Sequence, residues 1–237
     1  MGDSMKRLCT ICARGGSKGV KGKNLLPLNG IPLIVHSLNH AKDTYLFDLI
    51  AVSSDSDDIL QVASDWGCDF VVRRPSDLAS DEAAKLPTIR HCVSEVERLT
   101  DTSFDTLVDL DATSPLRSCD DIREAVALVE NDNAGNVITV TRARRSPYFN
   151  MIEFDENNIV KLCKQKTTAI KRRQDAPACF DMNASIYVWS HDSLFGSKTL
   201  FNADTRAYVM PEERSLDIDS ELDFLLVEFL MKRKKSK

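Results

Sequence analysis

Residues Leu8 to Asn24 read LCTICARGGSKGVKGKN, an apolar run of strand length followed at once by a loop of glycines and cations. Short apolar runs of the same kind recur along the chain, and stretches with the 3.6-residue spacing of helices separate them. The predicted strands are residues 8–13, 49–53, 70–73, 106–110, 137–141 and 184–189. The predicted helices lie near residues 33–41, 59–66, 89–99, 122–129 and 222–231.

The alternation of strand and helix indicates an α/β fold. The strands are too apolar for a sheet with one solvent-exposed face, so helices must cover both faces. Sheets covered on both faces consist mostly of parallel strands. We therefore predict one domain over residues 1–237, a three-layer α/β/α sandwich that binds its ligand at the carboxyl ends of the strands. The alternation breaks at residues 142–178. We interpret this segment as an inserted subregion that forms a homodimer, because Tyr148, Phe149 and Ile152 need another surface to bury them.

Bulk composition excludes several classes of protein. The chain has 237 residues, 43% hydrophobic and 28% charged, with a net charge of −5. No apolar stretch reaches the roughly 18 residues of a membrane span, and a net-acidic chain is not expected to bind nucleic acid. Seven scattered cysteines and the lack of a secretory signal predict a reduced, cytoplasmic protein. The basic end, residues 232–237, is expected to be a frayed tail.

The loop after the first strand is the strongest candidate for an anion site. From Ser4 through Lys42 there is no acidic residue, while seven lysines and arginines occur, Lys42 included. A glycine-rich turn at a strand end can place backbone N–H groups against an oligophosphate. The loop is not a Walker A motif, because Ser17 stands where that motif needs glycine and no Ser or Thr follows Lys23. A basic surface loop without a ligand is the alternative.

A second candidate site is the acidic stretch SLDIDSELD at residues 215–223. If the stretch is a strand, Asp217 and Asp219 share one face. Two such carboxylates suit Mg²⁺, which takes one or two protein carboxylates and completes its shell with water and phosphate. The alternative is a helix N-terminus in which Ser220 and Asp223 form a capping box. That alternative leaves Asp217 unexplained.

A third cluster, DATSPLR at residues 111–117, follows the strand at 106–110 and therefore opens on the same edge of the sheet. Its carboxylate, hydroxyls and arginine could orient a polyhydroxy substrate. A turn in which Ser118 caps the next helix accounts for part of the cluster.

Six motifs together resemble the acylneuraminate cytidylyltransferase family, the CMP-nonulosonic acid synthetases. In order they are residues 11–24, DLASD at 77–81, TSPLR at 113–117, Arg173-Gln174, NASIY at 183–187 and SLDID at 215–219. The resemblance extends from about residue 7 to residue 230. It implies a Rossmann-like nucleotidyltransferase fold, usually dimeric. It also implies transfer of CMP from CTP to the anomeric hydroxyl of a nine-carbon α-keto acid sugar, with Mg²⁺ as cofactor and pyrophosphate as product.

The resemblance also implies roles for individual residues. Those on the nucleotide are Arg14, Gly15, Gly16, Ser17, Lys18, Lys23, Asn24 and Asp81. Those on the sugar are Asp111, Thr113, Ser114, Arg117, Phe149, Arg173, Gln174, Asn183 and Tyr187. Asp217 and Asp219 hold the metal, and the catalytic groups are Arg14, Lys23 and Asp219. No histidine falls in a motif, so the base is either Asp219 or a proton transfer assisted by the metal.

Two positions depart from the members that activate sialic acid. Asp111 replaces an expected Gln, and Phe149 replaces an expected Lys that faces the sugar. These variants look most like the branch that activates legionaminic acid, a nonulosonic acid with two amino substituents. Synthetases for sialic, pseudaminic or 3-deoxy-octulosonic acid are the alternatives. A kinase would need a Walker lysine followed by Ser or Thr, and a non-enzymatic CTP-binding regulator would not need both the phosphate and the metal motif.

Overall fold

A seven-stranded sheet forms the centre of the molecule. The computed structural model describes residues 5–16, 19–80, 84–165 and 172–235. In chain order the strands are β1 (Arg7–Cys12), β2 (Pro27–Leu28), β3 (Ile31–Pro32), β4 (Leu49–Ser54), β5 (Phe70–Arg73), β6 (Thr106–Leu110), β7 (Asn136–Arg142), β8 (Ile152–Phe154), β9 (Val160–Leu162), β10 (Phe180–Ser190) and β11 (Arg206–Val209). The helices are α1 (Leu33–Thr44), α2 (Asp57–Asp65), α3 (Lys85–Thr100), α4 (Cys119–Glu130), α5 (His191–Gly196) and α6 (Glu221–Lys235).

The order of strands in the central sheet is β11-β7-β10-β6-β1-β4-β5. Strand β10 runs antiparallel to both of its neighbours, and the other pairs are parallel. Because β5, β4, β1 and β6 point the same way, the loops that follow them open on one edge of the sheet. The predicted fold class is confirmed, down to a mostly parallel sheet.

Helices cover both faces of the sheet, as the apolar strands require. One face packs against α1, α2 and α4, through a core that includes Ile34, Val35 and Ile122. The other face packs against α3 and α5, through Ile89, Leu194 and their neighbours. A third, smaller core joins the β2–β3 hairpin to α6 and contains Leu28, Ile218 and Val227.

The structure differs from three local expectations. Strand β10 begins at Phe180, before a bulge at which Ala184 adopts a left-handed φ of 52°. The acidic stretch at 215–219 is not a strand, because no neighbouring strand pairs with it in the described structure. The basic end is not frayed throughout, since α6 continues to Lys235.

Outside the central sheet, β8 and β9 pair as a separate two-stranded hairpin within the 142–178 segment. Within the described ranges, no helix combines the length and the apolar character needed to cross a bilayer.

Candidate active site

A cavity of about 430 Å³ lies at the edge of the sheet where β1, β5 and β6 end. The structure brings seven of the predicted site residues together on its wall: Arg14, Lys23, Asn24, Asp111, Thr113, Asp217 and Asp219. The rest of the wall consists of Cys12, Arg74, Leu78, Ser80, Lys85, Thr88, Ala112 and Ala184. The cavity therefore combines four cationic side chains with three carboxylates, and its two ends differ in how those charges are held.

At one end, the glycine loop and the acidic stretch hold each other. The Lys23 ammonium donates to the Ile218 carbonyl oxygen at 2.6 Å and to Asp219 Oδ1 at 3.0 Å. Gly19 lies so close to the acidic stretch that a Cβ there would be 1.9 Å from the Asp219 carbonyl oxygen. Only glycine permits this approach of the two backbones. The close packing sets the Lys23 ammonium directly beside the Asp219 carboxylate.

Asn24 follows Lys23 in a short 3₁₀ turn and is buried. Its Nδ2 donates to the Arg14 carbonyl oxygen at 3.0 Å, so the asparagine fixes the start of the loop. Its Oδ1 is buried on the cavity wall without a hydrogen-bond partner among the described residues. A buried acceptor of this kind is costly unless a ligand donor completes it.

The acidic stretch is held in place by two anchors from other elements. Ile218 donates its backbone N–H to the Thr113 carbonyl oxygen at 2.9 Å. Asn183, buried in β10, donates to Ser215 Oγ at 3.0 Å. Beyond the stretch, Ser220 and Asp223 form the capping box of α6. The capping interpretation is therefore confirmed for Ser220 and Asp223, and it leaves Asp217 and Asp219 facing the cavity.

The chemistry of this carboxylate pair fits a magnesium ion. Burial and the neighbouring Asp219 carboxylate together raise the pKa of Asp217. A divalent cation held by these carboxylates would offset that repulsion, and carboxylate oxygens are ligands that Mg²⁺ prefers. Among the described residues, no cluster of three or more His, Cys, Asp or Glu side chains forms a complete metal cage. Water and substrate phosphate would have to complete the shell.

At the other end of the cavity, Asp111 is committed to partners within the protein. Its Oδ1 accepts from the Thr113 N–H at 3.0 Å and from Thr113 Oγ1 at 2.9 Å, and its Oδ2 accepts from Lys85 Nζ at 2.8 Å. Lys85 also pairs with Asp109 at 3.2 Å. Burial alone would raise the pKa of Asp111, but the Lys85 ammonium and the Thr113 hydrogen bonds outweigh it and hold that pKa below its usual range.

Arg117 and Ser114 do not reach the cavity wall. Arg117 is buried, where it donates to the backbone carbonyl oxygens of Ser114 and Asp111 and to Ser37 Oγ. Burial lowers the pKa of Arg117 to about 10. The expectation that these residues contact the sugar directly is therefore corrected. Arg117 braces the 111–117 turn from beneath, and Ser114 is part of the braced backbone.

Tyr187 and Asn183 are also buried in β10 rather than exposed on the cavity wall. The Tyr187 ring lies under the Lys85 ammonium, 4.4 Å from ring centroid to Nζ. Both residues therefore act through others, Tyr187 through Lys85 and Asn183 through the acidic stretch. These positions correct the expectation that they touch the sugar themselves.

Three predicted sugar residues lie in the 142–178 segment and not at the cavity. Phe149 is in the turn before β8 and is 36% exposed. Arg173 donates to the Arg144 carbonyl oxygen at 2.6 Å, and it lines a separate open cavity of about 1050 Å³ with Arg142, Arg144 and Arg145. Gln174 lines a smaller cavity next to that one. Within this chain, the described structure does not bring the three together with Lys23 and Asp217.

The remaining predicted nucleotide residues belong to the loop and its surroundings. Gly15 donates its N–H to Asp55 Oδ1 at 2.8 Å, and Gly16 follows it at the surface. The predictions for Ser17, Lys18 and Asp81 fall outside the described residues.

Sequence reasoning missed Arg74 and Lys85. Arg74 directly follows β5, so the strand-end argument that identified Arg14 also applies to it. It is buried and donates to the Ser53 carbonyl oxygen at 2.9 Å. Lys85 has a weaker signal. It is a cation at the first position of a helix, where the helix dipole disfavours positive charge.

A mostly parallel sheet whose edge carries a basic glycine loop and paired carboxylates fits an enzyme that binds a nucleoside triphosphate with a metal ion. The chain belongs to the cytidylyltransferase family, whose model matches residues 8–230. The chain is accordingly a nucleotidyltransferase enzyme.

The chain is also similar over nearly its whole length to individual proteins. The chain is 47% identical over 227 residues to the CMP-N,N′-diacetyllegionaminic acid synthase of Campylobacter jejuni, covering 96% of this chain and 95% of that protein. It is 44% identical, over the same shares, to the post-translational flagellin modification protein B of Campylobacter coli. A solved structure of a CMP:2-keto-3-deoxy-manno-octonic acid synthetase complexed with CTP has a TM-score of 0.69 at 16% identity. That match covers 97% of this chain and 99% of the other, and it shows the shared fold.

Proposed function

We propose that the enzyme transfers CMP from CTP to the anomeric 2-hydroxyl of a nonulosonic acid, N,N′-diacetyllegionaminic acid above others, and releases pyrophosphate. The observation that carries the proposal is that Arg14, Lys23, Asp217 and Asp219 all line the same cavity. The identity of 47% to a CMP-N,N′-diacetyllegionaminic acid synthase supports the choice of sugar.

The triphosphate of CTP belongs at the end of the cavity formed by the glycine loop. It carries about four negative charges, which must be neutralised before an oxygen nucleophile can approach the α-phosphorus. Arg14 and Lys23 supply cations there, and the buried Oδ1 of Asn24 supplies an acceptor for a nucleotide hydroxyl. Positioning and charge neutralisation then account for most of the rate.

Magnesium is the cofactor of this proposal, held by Asp217 and Asp219. When bound, it would neutralise phosphate charge and act as a Lewis acid. Lys23 is paired with Asp219 at 3.0 Å, and we propose that its ammonium also donates to phosphate oxygens. The proton of the sugar hydroxyl would leave either to Asp219, whose side chain is 76% exposed, or with the assistance of the metal.

We propose that the enzyme works as a homodimer built through residues 142–178. The β8–β9 hairpin leaves Ile152, Phe154 and Val160 more than half exposed, and a monomer would keep this apolar surface in water. In a dimer, Phe149, Arg173 and Gln174 of one subunit could line the Lys23–Asp217 cavity of the other subunit. Sedimentation should give a dimer at micromolar concentration and a monomer for Phe154→Glu. A monomeric wild-type protein would contradict the proposal.

We place the reaction in the cytoplasm. All seven cysteines are free thiols, as expected in a reducing compartment.

The decisive experiment measures pyrophosphate release with each of the four NTPs and a panel of sugar acids. The panel contains N,N′-diacetyllegionaminic, N-acetylneuraminic, pseudaminic and 3-deoxy-octulosonic acids. Among the four NTPs, we expect only CTP to support turnover. Among the sugars, we expect N,N′-diacetyllegionaminic acid to give the highest kcat/KM. A higher value for another sugar would overturn the choice of sugar and leave cytidylyl transfer standing. Absence of turnover with every sugar acid of the panel would overturn the proposed function.

A further inference from the structure

Helix α6 has two apolar faces. One face packs on the small core through Val227, with Phe224, Leu230 and Met231 beside it. The other face lies in solvent, and its side chains are between 41% and 73% exposed: Leu222, Leu225, Leu226 and Phe229. Their spacing of i, i+3, i+4 and i+7 forms one continuous stripe along the helix. A helix that is apolar on both faces is normally covered on both.

A second apolar surface lies on the β8–β9 hairpin. Its register places apolar side chains opposite each other on one face, Ile152 with Leu162 and Phe154 with Val160. Glu153 and Lys161 pair across the other face at 3.5 Å. An isolated two-stranded hairpin is at best marginally stable in water, so its apolar face needs another surface to pack on.

Twofold symmetry restricts how two copies of the chain can cover both surfaces. A surface that pairs with its own copy must lie on the twofold axis, so self-pairing of the hairpin and of α6 would require both to lie on one axis. In the described structure the two surfaces share neither a sheet nor a core. A contact between the hairpin of one subunit and α6 of the other occurs twice in a dimer, and it covers both surfaces of both subunits.

The charges around the two surfaces are opposite in sign. The 142–178 segment, which contains the hairpin, has nine lysines and arginines against four acids. Residues 217–223, which lead into α6, include four acids and no lysine or arginine. Opposite charges around a contact steer the matching surfaces together. Two copies of either segment would instead bring like charges together.

The stripe of α6 also lies next to the candidate active site. Leu222 is three residues after Asp219, which lines the cavity. Phe149, a predicted sugar residue that is not on the wall of this chain's cavity, stands three residues before β8. A hairpin that packs on α6 of the other subunit would therefore carry such residues toward the cavity of that subunit.

We propose that the apolar stripe of α6 is the docking surface for the β8–β9 hairpin of a second copy of this chain. The inference rests on the proposed homodimer, and it specifies the surface that the hairpin contacts. The dimer then has two identical contacts, each beside one cavity.

Site-specific photocross-linking tests this contact directly. The photoreactive residue p-benzoylphenylalanine replaces Leu225 or, in a second protein, Phe229, and the full-length chain is irradiated at a concentration at which the wild type sediments as a dimer. The product of twice the chain mass is digested, and its peptides are identified by mass spectrometry. We expect both positions to cross-link to residues 149–164 of the partner subunit. The same probe at Leu99, an exposed leucine of α3, should give no cross-linked dimer.

Substitutions test the same contact through the strength of association. Leu225→Glu places a charge in the stripe and should raise the dissociation constant of the dimer at least about 30-fold, the effect of losing a residue that dominates an interface. The subunit should stay folded, because the Leu225 side chain is 62% exposed. Leu99→Glu makes the same change on α3 and should leave the constant within about threefold of wild type. Leu225→Glu/Phe154→Glu should weaken association little more than either single change, because both break one contact.

A cross-link from position 225 or 229 to α6 of the other subunit, or to any surface outside residues 149–164, overturns the inference. So does a wild-type dimer that yields no cross-linked product, or a Leu225→Glu protein that associates as tightly as wild type. These outcomes leave the proposed homodimer and cytidylyl transfer standing. A monomeric wild type would overturn the proposed homodimer and this inference with it, while pyrophosphate release from CTP tests the reaction independently.

Discussion

The two ends of the cavity each pair a lysine with an aspartate, and they do so in opposite ways. At the loop end, Lys23, whose side chain is 13% exposed, pairs with an Asp219 side chain that is 76% exposed. At the inner end, Lys85 pairs with Asp111 and with an Asp109 that is 1% exposed. A pair whose carboxylate lies in solvent is screened, contributes little to stability and can be exchanged for ligand charges. A buried pair costs several kcal/mol when one partner is removed.

This difference indicates a division of labour. The charges of the loop end are available to phosphate and metal, so changes there should affect turnover and leave the fold intact. The charges of the inner end are fixed by the fold, so changes there should affect stability first. Substitutions at the two ends can therefore test the comparison directly.

The largest effect is expected at the inner end. Lys85→Met leaves Asp109 and Asp111 without their cation, and breaking such a buried pair costs about 3–5 kcal/mol of unfolding free energy at neutral pH. Chemical denaturation at pH 8 measures this loss. Lys198→Met is the matched control and should change the free energy by less than about 0.5 kcal/mol. A loss no larger than that of the control would mean that the inner end is not a buried pair at all.

Lys85→Met should also change how the free energy of unfolding depends on pH. In the wild type the pKa of Asp111 lies below its unfolded value, so Asp111 contributes stability above that value, and the contribution is lost as the pH falls. Without Lys85, burial dominates and raises the pKa of Asp111. The folded variant then binds the proton more tightly than the unfolded chain, so its deficit should shrink between pH 8 and pH 5. A deficit that grows toward pH 5 would contradict this account.

The next largest effect is expected at the loop end. Asp217→Asn should reduce kcat on the order of 10²–10³-fold, the effect of removing one preorganised electrostatic element, measured as pyrophosphate release over a range of Mg²⁺ concentrations. Its unfolding free energy should not fall, because burial and Asp219 already disfavour the ionised form of Asp217. Glu221→Gln, which changes an exposed acid of the same stretch, is the control. Normal turnover of Asp217→Asn at limiting Mg²⁺ would show that Asp217 is not a ligand of the metal.

The loop end was predictable from the sequence, and the inner end was not. Arg14, Lys23 and Asp217 stand in local motifs, and a strand-end loop opens on the edge of the sheet wherever the strands are parallel. Lys85 acquires its role from Asp111, which is 26 residues away in the chain and joins it only through the packing of α3 on the sheet. A single lysine at a helix start carries little information until that packing is known.

The fold shows the same division. Long apolar runs and helical spacing predicted the strands and helices that carry the core. Strand β11 and the β2–β3 hairpin are short and were not predicted, and residues 180–182 of β10 were missed because their side chains are largely exposed. Arg117 shows the limit for single residues. It stands in a substrate-like motif, yet its guanidinium binds backbone carbonyls beneath the turn.

A smaller effect is expected for Lys23→Ala. Lys23 donates to the Ile218 carbonyl and to Asp219, and phosphate oxygens would compete for the same ammonium. A hydrogen bond to a charged group contributes about 1.5–3 kcal/mol, so KM for CTP should rise roughly 10–100-fold while KM for the sugar changes little. Initial rates over a CTP series at fixed sugar measure this separation. An equal rise in both KM values would indicate that Lys23 supports the whole cavity.

The smallest effect is expected when residues 232–237 are deleted, although this segment is the most basic in the chain. Helix α6 is held to the body of the protein by Val227, which is fully buried, and by Leu230 and Met231, which pack against the same core. All three precede the deletion. The Lys232–Glu228 pair that is lost lies at the surface, with side chains 62% and 30% exposed, and such a pair contributes only a few tenths of a kcal/mol. We therefore expect kcat and both KM values to stay within about twofold of wild type, and the unfolding free energy to fall by less than about 1 kcal/mol.

A fluorescence titration with duplex DNA at low and high salt completes the test of this deletion, because a site that uses the charge of residues 232–237 for nucleic acid would bind with a steep salt dependence. Steep binding that disappears with the deletion, or loss of cytidylyl transfer, would show that the functional charge of this protein is not confined to the cavity.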